Sequence, residues 1–459
     1  MARLAGVSID SRTLHAGELF LAIHGPRHDG HTFVAAALAA GAPAAVVAHG
    51  RMAEYPQDVR RRLLAVDDPL AALQKLAREV RRRWAALGGG RRLVAVTGST
   101  GKTTTKEILA ALLGARLRVL KSEGNLNNEY GLPLTLLRLE DEDEAAVVEV
   151  GMSHRGELAG LAEICEPEVG VVMNVAPVHL EFFASLDEIA LAKRELIERL
   201  AGPAPVAVLN ADDERVIHFA NGFRGRVLTF GVDDGMFRAA SLKNLGAEGW
   251  EFDVVSPTGR THMRLSLGGP HLWNALGALA AASVWGFGAA EAAELFPRLK
   301  PAAMRGEVLR FTAGFTVIND SYNSNPTALA QMLALLMETS GYRRRILVAG
   351  EMLELGETAA KLHRGCGREA ARAADWVFGV QGHAKEIVQG AIEAGLSKAQ
   401  TGFFENSDEA AKFIAEFVRT GDLLLVKGSR GVKMERIIEA LRAKYALSPE
   451  SATATRGGR

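Results

Sequence analysis

Short apolar runs alternate along the chain with longer stretches in which apolar residues recur at helical spacing. The clearest strand-like runs are LVAVTG at 93–98, AAVVEVG at 145–151 and VGVVMNV at 169–175. Near-continuous apolar strands that are joined by helices are typical of sheets covered on both faces. The pattern therefore predicts an α/β protein built on parallel sheets.

Two breaks in this alternation predict domain boundaries. An arginine-rich helix meets a glycine run in LGGGRR at 87–92, and two prolines interrupt the chain in PRLKPAAM at 297–304. Three domains agree with the usual length per domain for a chain of 459 residues. The expected domains are 1–88, 89–300 and 301–446, followed by a segment at 447–459 with the composition of a disordered tail.

The third domain repeats the order strand, helix, strand. Its predicted strands are RRILVAG at 344–350, WVFGV at 376–380 and DLLLVKG at 422–428. This order predicts an open, doubly wound sheet of the Rossmann-like kind, in which ligands bind at the carboxyl ends of the strands.

Composition and charge indicate which binding partners and which cellular compartment to expect for the protein. Lys plus Arg and Asp plus Glu both total 54, so no net charge favours nucleic acid or an anionic membrane. Two cysteines, Cys165 and Cys366, exclude a disulfide framework. The start of the chain lacks a signal-peptide core, and its apolar stretches are too short to span a bilayer. We expect a cytoplasmic monomer without a nucleic-acid partner or stable membrane insertion.

The sharpest chemical signal is the stretch LVAVTGSTGKTTTKE, in which a buried strand ends in a glycine loop that opens a helix. Backbone N–H groups and a helix N-terminus at such a loop bind phosphates. Lys102 would neutralise the phosphate charge, and the Thr103 hydroxyl would reach Mg²⁺. The predicted phosphate-binding residues are Gly98, Ser99, Thr100, Gly101, Lys102, Thr103 and Thr104.

Two further residues follow neighbouring strands and are expected at the same sheet edge. Glu149 ends the strand AAVVEVG, and a carboxylate there would suit Mg²⁺, although a solvent-facing glutamate is the alternative. His179 lies in the loop after the next strand, where a lone histidine is more often structural than catalytic. GTPases carry NKxD for guanine, whereas LNADD at 209–213 lacks the lysine, so ATP is favoured.

Taken together, the motifs resemble the Mur ligase family of ATP-dependent amide-bond synthetases in peptidoglycan precursor assembly. The resemblance covers nearly the whole chain. The motifs that carry it are DSRTLHAGELFLAIHGPRHDGHTF (10–33), TGSTGKTTTKE, GNLNNEYGLPLTLLRL (124–139), EVGMSHRGEL, NVAPVHLE, RGE, INDSYNSNP (318–326), AGEMLELGE (349–357) and LLVKGSRGVKMERII. Of these, DSYNSNP, MLELGE and KGSRG resemble the members that add D-alanyl-D-alanine to UDP-N-acetylmuramoyl tripeptide.

The resemblance implies an ATP-dependent ligase that works through an acyl phosphate and uses Mg²⁺. Ser11 and Arg12 would lie near the uridine nucleotide, and Asn127 and Asn128 near the sugar and diphosphate. The other residues that it implies for substrate binding are Asn323, Asn325, Lys427 and Ser429.

For ATP, the resemblance implies that Asn274 meets adenine, while Arg305 and Asp320 close over ribose and γ-phosphate from the third domain. The implied metal positions are Thr103, Glu149, His179 and Lys193, the last as a carbamate. The implied catalytic set is Lys102, Glu149, His179 and Lys193.

Several alternatives stay open at this point. Pro270 and His271 stand where the family usually has His and Asn, which leaves the second adenine contact undefined. Lys193 could instead be an exposed helical lysine paired with Glu188 or Glu195. YNSNP could be an Asn-rich turn ended by Pro326, and KGSRG a plain strand-to-helix loop. The third peptide residue of the substrate could be meso-diaminopimelate or L-lysine.

Two other classes of protein share the phosphate loop. One is a sibling ligase such as folylpolyglutamate synthase, which would lack the DSR-bearing first domain. The other is a nucleotide-dependent switch that binds a protein partner and hydrolyses ATP without an amine. A ligase needs both the nucleotide peptide and an amine before it releases phosphate, so phosphate release separates these classes.

Overall fold

The computed structural model describes residues 4–26, 28–178 and 180–449. Three sheets of four, nine and six strands follow one another along the chain, each covered by helices. The predicted α/β class and its predominantly parallel sheets are confirmed. Within these described ranges, no helix combines the length and the apolar composition needed to cross a bilayer.

The first sheet is parallel throughout, in the order β1-β2-β3-β4. Its strands are β1 Gly6–Ser8, β2 Glu18–Leu21, β3 Ala45–Ala48 and β4 Leu63–Val66, and its helices are α1 Val34–Ala39, α2 Gln57–Arg60 and α3 Pro69–Ala86. The long helix α3 begins where the Asp68 carboxylate caps Leu70 N and Pro69 occupies the first turn. Trp84, near its end, donates to Asp143 O at 2.8 Å and so fastens α3 to the central domain.

The central sheet has the order β13-β12-β11-β10-β9-β8-β5-β7-β6. Its strands are β5 Arg92–Thr97, β6 Val119–Lys121, β7 Ala145–Glu149, β8 Val169–Val172, β9 Val206–Asn210, β10 Arg226–Gly231, β11 Phe237–Asn244, β12 Trp250–Ser256 and β13 Gly259–Leu265. Strands β5 to β11 pair in parallel, as predicted, whereas β12 and β13 are antiparallel and depart from the predicted all-parallel sheet.

Helices cover both faces of the central sheet. They are α4 Lys102–Leu113, α5 Gly131–Leu136, α6 Glu157–Cys165, α7 Leu186–Glu198, α8 Glu214–Ile217, α9 His271–Ala282 and α10 Ala289–Leu295. Successive residues of β5 point to opposite faces: Val94 packs in the core formed with α4 and α9, and Leu93 in the core formed with α5, α6 and α7. Burial on both faces explains why the strand is apolar at every position from 93 to 96.

The third sheet has the order β14-β15-β19-β16-β17-β18 and is parallel except for the β14–β15 pair. Its strands are β14 Glu307–Arg310, β15 Thr316–Asp320, β16 Arg344–Gly350, β17 Trp376–Val380, β18 Thr401–Phe404 and β19 Asp422–Lys427. Its helices are α11 Pro326–Glu338, α12 Ala359–Ala373, α13 Ala384–Glu393, α14 Ser407–Phe417 and α15 Glu435–Lys444.

The chain beyond α15 stays attached to this sheet for longer than the predicted boundary at 446. Leu447 bridges Phe311, and Ser448 N donates to Arg310 O at 2.8 Å. The start of the predicted disordered tail is thus paired with β14 and the residue after it, and residues 450–459 lie outside the described residues.

Candidate active site

The phosphate loop is the turn between β5 and α4. Gly98 and Gly101 both have left-handed φ values, of 153° and 83°, which glycine adopts without steric cost. A Cβ on Gly101 would lie 2.3 Å from Asn274 Oδ1, so a larger residue is excluded there. The turn therefore leads directly into the N-terminus of α4, which is the kind of position where anions bind.

Lys102 lies over this loop as the first residue of α4. Its Nζ donates to Gly98 O at 2.7 Å and approaches Ser99 O at 3.4 Å. Burial lowers the pKa of Lys102, the Glu149 carboxylate opposes that shift, and the Arg305 guanidinium adds to it. A half-buried cation held by backbone carbonyls is available to an incoming phosphate.

Glu149 ends β7 directly beside the loop and is 3% exposed, so its solvent-facing alternative is wrong. Its Oε2 accepts from Thr103 Oγ1 at 2.6 Å, and its Oε1 accepts from Asn127 Nδ2 at 2.9 Å. A hydroxyl and a buried carboxylate thus meet at the carboxyl edge of the sheet, which is an oxygen-rich arrangement that suits a hard divalent cation.

Lys193 lies on α7 and is 2% exposed, so the alternative of an exposed helical lysine is wrong. The expected carboxylate partners bond elsewhere, Glu188 to Ala184 N and Glu195 to Gly156 N. Burial lowers the pKa of Lys193 well below its usual value, and the nearby Lys102 charge lowers it further. The structure therefore places the two predicted lysines close enough for their charges to interact.

The described residues bring together only part of the predicted set of metal ligands. His179 lies outside the described residues. In the described part of the chain, no group of three or more His, Cys, Asp and Glu side chains is placed to hold a metal ion. Of the predicted metal set, the structure brings Thr103 and Glu149 into direct contact.

The predicted adenine residue Asn274 lies beneath the phosphate loop. Its Oδ1 accepts from Thr105 Oγ1 at 3.4 Å, and its Nδ2 donates to His271 Nδ1 at 3.2 Å. The Nε2 atom of His271 is buried and has no hydrogen-bond partner among the described residues. A Cβ on Gly306 would lie 2.8 Å from that atom, so His271 packs against the start of the third domain.

Arg305 and Asp320 belong to that same edge of the third domain. The Arg305 guanidinium lies 4.0 Å over the ring of Tyr322. Asp320 ends β15 and pairs with Lys427 Nζ at 2.5 Å, and Lys427 also donates to Asn323 O at 2.9 Å. Lys427 thereby ties the end of β19 to the loop that follows β15.

Two predicted substrate residues in this loop have local structural roles. Asn325 Oδ1 accepts from Ala328 N at 2.8 Å and caps α11, whose first residue is Pro326. Asn323 Oδ1 accepts from Ser324 N. These bonds fit the Asn-rich turn that the sequence left open. Ser429 differs, since its Oγ accepts from Leu353 N at 3.0 Å and donates to Ser324 O at 3.4 Å, which links three loops.

The residues expected to bind the uridine-linked substrate lie at the edges of the first and central domains. Arg12 forms a bidentate pair with Asp10, which lowers the pKa of that carboxyl to about 2, and Ser11 lies between them. Asn128 Oδ1 accepts from Gly131 N at 2.9 Å at the start of α5. A cleft of about 390 Å³ between α3 and α6 has Asn128 on its wall.

Sequence reasoning missed Asn174, which follows β8. Its side chain and backbone hold Ser99 and Thr100 of the phosphate loop. A polar residue directly after an apolar strand was the available signal, the same one that identified Glu149. Thr104, which was predicted, is buried at the start of α4.

Comparison with known proteins supports a single family along the chain. Residues 3–81 match the Mur ligase family catalytic domain, 96–282 the Mur ligase middle domain, and 304–430 the Mur ligase glutamate ligase domain. The UDP-N-acetylmuramoyl-tripeptide–D-alanyl-D-alanine ligase of Bacillus subtilis is 34% identical over 95% of this chain and 93% of its own length.

Solved structures agree with this assignment. MurF from Acinetobacter baumannii has a TM-score of 0.85 and 30% identity, and the match covers 96% of this chain and 94% of that one. MurF ligase from Thermotoga maritima in complex with ADP has a TM-score of 0.82 and 28% identity, over 96% and 97% of the two chains. The chain belongs to the Mur ligase family.

Proposed function

We propose that the protein joins D-alanyl-D-alanine to UDP-N-acetylmuramoyl tripeptide at the expense of ATP, a step in peptidoglycan synthesis. The relative from Bacillus subtilis bears the name of this activity over nearly its whole length. The observation that supports the use of ATP is the contact of Thr103 with Glu149 next to Lys102, on the edge that faces Arg305 of the third domain.

The chemistry requires activation of a carboxylate. A free carboxylate does not condense with an amine in water, so the γ-phosphoryl group of ATP is transferred to the terminal carboxylate of the tripeptide. The amine of D-alanyl-D-alanine attacks the resulting acyl phosphate, gives a tetrahedral species and displaces phosphate. ADP and phosphate are released with the pentapeptide product.

The protein contributes position and charge to these steps. The α4 N-terminus and the adjoining amides bind phosphate oxygens, while the amides of Ser99 and Thr100 donate to Asn174 and fix the loop. Lys102 exchanges its carbonyl partners for the phosphates. Arg305 approaches from the third domain, so both domains must meet for turnover. Preorganised donors of this kind stabilise the charge that develops during phosphoryl transfer.

Mg²⁺ fits the oxygen donors present. The Thr103 hydroxyl and the Glu149 carboxylate would hold it, and Asn127 keeps the carboxylate oriented through its bond to Oε1. When bound, the ion neutralises the negative charge of the phosphates. His179 and a carbamate on Lys193 complete the proposed metal set.

A carbamate on Lys193 has a physical basis in its surroundings. Carbon dioxide adds to a neutral amine, and burial beside Lys102 favours the neutral form by lowering the pKa of Lys193. The addition releases a proton and leaves an anionic carbamate, which would supply a further anionic oxygen in addition to the Glu149 carboxylate.

The uridine-linked substrate enters from the first domain in this proposal. Ser11 and Arg12 approach the nucleotide, Asn127 and Asn128 the sugar and diphosphate, and Lys427, Ser429, Asn323 and Asn325 the amine side. For Arg12 this requires exchange of its Asp10 partner for the substrate, which is feasible because the pair is exposed. Both ATP and a nucleotide-linked precursor are intracellular compounds, so we expect the reaction to take place in the cytoplasm.

The test is product identification with purified protein, Mg²⁺ and ATP. Uridine-linked muramyl tripeptides with meso-diaminopimelate or L-lysine are each offered with D-alanyl-D-alanine and with a panel of single amino acids, and products are identified by mass. We expect the pentapeptide and a stoichiometric amount of ADP when the tripeptide and D-alanyl-D-alanine are both present. ADP formation without either substrate indicates a nucleotide switch, and consumption of a different amine indicates a sibling ligase.

A further inference from the structure

The loop after β16 contacts the central domain close to the candidate site. We define residues 352–356 as the interdomain loop. Glu181 N, in the segment after β8, donates to Glu354 O at 3.4 Å, and a Cβ on Gly356 would lie 3.4 Å from Glu181 Cα. Because β8 neighbours β5, the segment after β8 lies at the same sheet edge as Lys102.

The interdomain loop contains a strained residue. Glu354 has a φ of 63°, in the left-handed region that a residue with a Cβ rarely adopts, and Gly356 follows with a φ of 56°. Such a conformation persists only where neighbouring contacts over-determine it, and it is frequent at functional loops. The contacts that fix this loop therefore identify the residues that maintain its strained conformation.

Side chains of the third domain make three of the described hydrogen bonds that fix the loop. Leu353 N donates to Ser429 Oγ at 3.0 Å, and Thr358 Oγ1 donates to Leu355 O at 2.8 Å. The third bond comes from helix α12, where His363 Nε2 accepts from Met352 N at 2.9 Å. No motif in the sequence predicts a role for His363.

The surroundings of His363 fix which nitrogen carries hydrogen. The side chain is fully buried, and Nδ1 lies 2.7 Å from Ala359 O. Since a carbonyl only accepts, Nδ1 is the donor and Nε2 is left as the acceptor for Met352 N. Burial lowers the pKa of His363 and the His383 ring adds to this, while the bond to the Ala359 carbonyl and the Glu351 and Glu386 carboxylates oppose the shift. The neutral ring is thus the form that can hold the loop.

We propose that His363 is a positioning residue that holds the interdomain loop in its strained, domain-contacting conformation and thereby completes the site for the amine substrate. The inference rests on the proposed function, because the same loop is held on its other side by Ser429, a residue of the proposed substrate set. His363 acts through Met352 N and touches no reactant itself. Its effect should therefore fall on binding of the amine and not on binding of ATP.

Two substitutions separate this role from a general loss of stability. His363→Leu fills a similar volume but offers no acceptor, whereas His363→Gln can present Oε1 to Met352 N. We expect His363→Leu to lower kcat/KM for D-alanyl-D-alanine about tenfold. KM for ATP should stay within about twofold, because the proposed ATP residues lie outside this loop. His363→Gln should restore kcat/KM to within about threefold of wild type.

Cys366→Ala is the matched control. Cys366 lies on the same helix, is 5% exposed and packs in the core beneath the sheet, and it is not among the residues whose described hydrogen bonds fix the loop. Cys366→Ala should lower the unfolding temperature. It should not change kcat/KM for D-alanyl-D-alanine selectively relative to KM for ATP. The positioning role is wrong if His363→Leu changes kcat/KM for D-alanyl-D-alanine and KM for ATP by equal factors, as a merely destabilised protein does. It is also wrong if kcat/KM for D-alanyl-D-alanine stays at its wild-type value.

Failure of the proposed function gives a different result. Wild-type protein would then form ADP with an amine other than D-alanyl-D-alanine, and the same variants are scored on that amine. A selective loss for that amine in His363→Leu, with rescue in His363→Gln, supports the positioning role even though the proposed substrate is wrong. Equal effects of His363→Leu on kcat/KM for that amine and on KM for ATP overturn the positioning role.

Discussion

The Asn174 side chain forms three hydrogen bonds with Thr100 at the mouth of the phosphate loop. Thr100 N donates to Asn174 Oδ1 at 2.9 Å, and Asn174 Nδ2 donates to Thr100 Oγ1 at 3.0 Å and to Thr100 O at 3.3 Å. The backbone carbonyl of Asn174 also accepts from Ser99 N at 3.1 Å. Because Asn174 follows β8, the neighbouring strand helps to fix the loop, whose shape does not depend on its glycines alone.

Replacing Asn174 with Ala should raise KM for ATP by about tenfold. Loss of three side-chain hydrogen bonds at about 0.5–1.5 kcal/mol each accounts for a change of at least this size. Steady-state kinetics with varied ATP measures it. Asn210→Ala is the control, because Asn210 ends the next strand and its side chain donates to Met173 O at 2.8 Å instead of to the phosphate loop. Equal effects in both variants would attribute the change to general destabilisation.

Replacing Glu149 with Gln should weaken the apparent affinity for Mg²⁺ at least about tenfold. Gln keeps the shape and an oxygen toward Asn127 but removes the charge that attracts a hard cation. Initial rates across a Mg²⁺ titration give the constant. Glu157→Gln, whose carboxylate bonds Ser153 N on the same edge, should leave it unchanged. An unaltered Mg²⁺ dependence in Glu149→Gln would remove Glu149 from the metal set.

The buried strands of the fold are predictable because their residues must be apolar on both faces. Val94 and Leu93 face different cores, and the continuous apolar run that results is enough to identify β5 from the sequence. The antiparallel strands β12 and β13 were not predicted. Arg260 and Arg264 lie on the exposed face of β13, so this strand alternates polar and apolar residues and lacks the continuous apolar run by which the other strands were identified.

The site is predictable to the extent that its residues follow strands. The rule that ligands bind at carboxyl edges places Glu149 beside the phosphate loop, where the structure has it. The rule does not separate binding from capping roles, since an asparagine after a strand serves either. Asn325 caps α11, and Pro326 at the first helical position is a signal for that role. The burial of Lys193 depends on packing between elements, which local sequence does not encode in a readable pattern.

Replacing His271 with Asn should change KM for ATP at least about threefold and kcat less than about twofold. His271 supports Asn274 beneath the phosphate loop and packs on Gly306, and both contacts are already formed before phosphoryl transfer begins. A contact that is equal in ground and transition states acts on KM. Trp273→Phe is a neighbouring control, since its Nε1 bonds Asp212 instead. A fall in kcat at unchanged ATP affinity would contradict this placement.

The last prediction concerns the carbamate on Lys193. Lys193→Ala should be nearly inactive and should regain activity when formate or acetate is added, because a short carboxylate can occupy the space of the missing carbamate and supply its anionic oxygen. The lowered pKa of Lys193 makes its amine neutral and reactive with carbon dioxide over more of the physiological pH range than an exposed lysine. Rates are measured at increasing concentrations of each acid, with chloride at equal ionic strength for comparison.

Lys106 offers a matched control for that experiment. It is also fully buried, but its Nζ donates to Ser122 O at 2.6 Å and pairs with Glu107, so it already has partners and needs no carbamate. Lys106→Met should lose stability and should not respond to formate or acetate. Rescue confined to Lys193→Ala supports the carbamate. Full activity of Lys193→Ala without any added acid, or equal stimulation of both variants, would show that Lys193 fills space beside Lys102 without supplying a metal ligand.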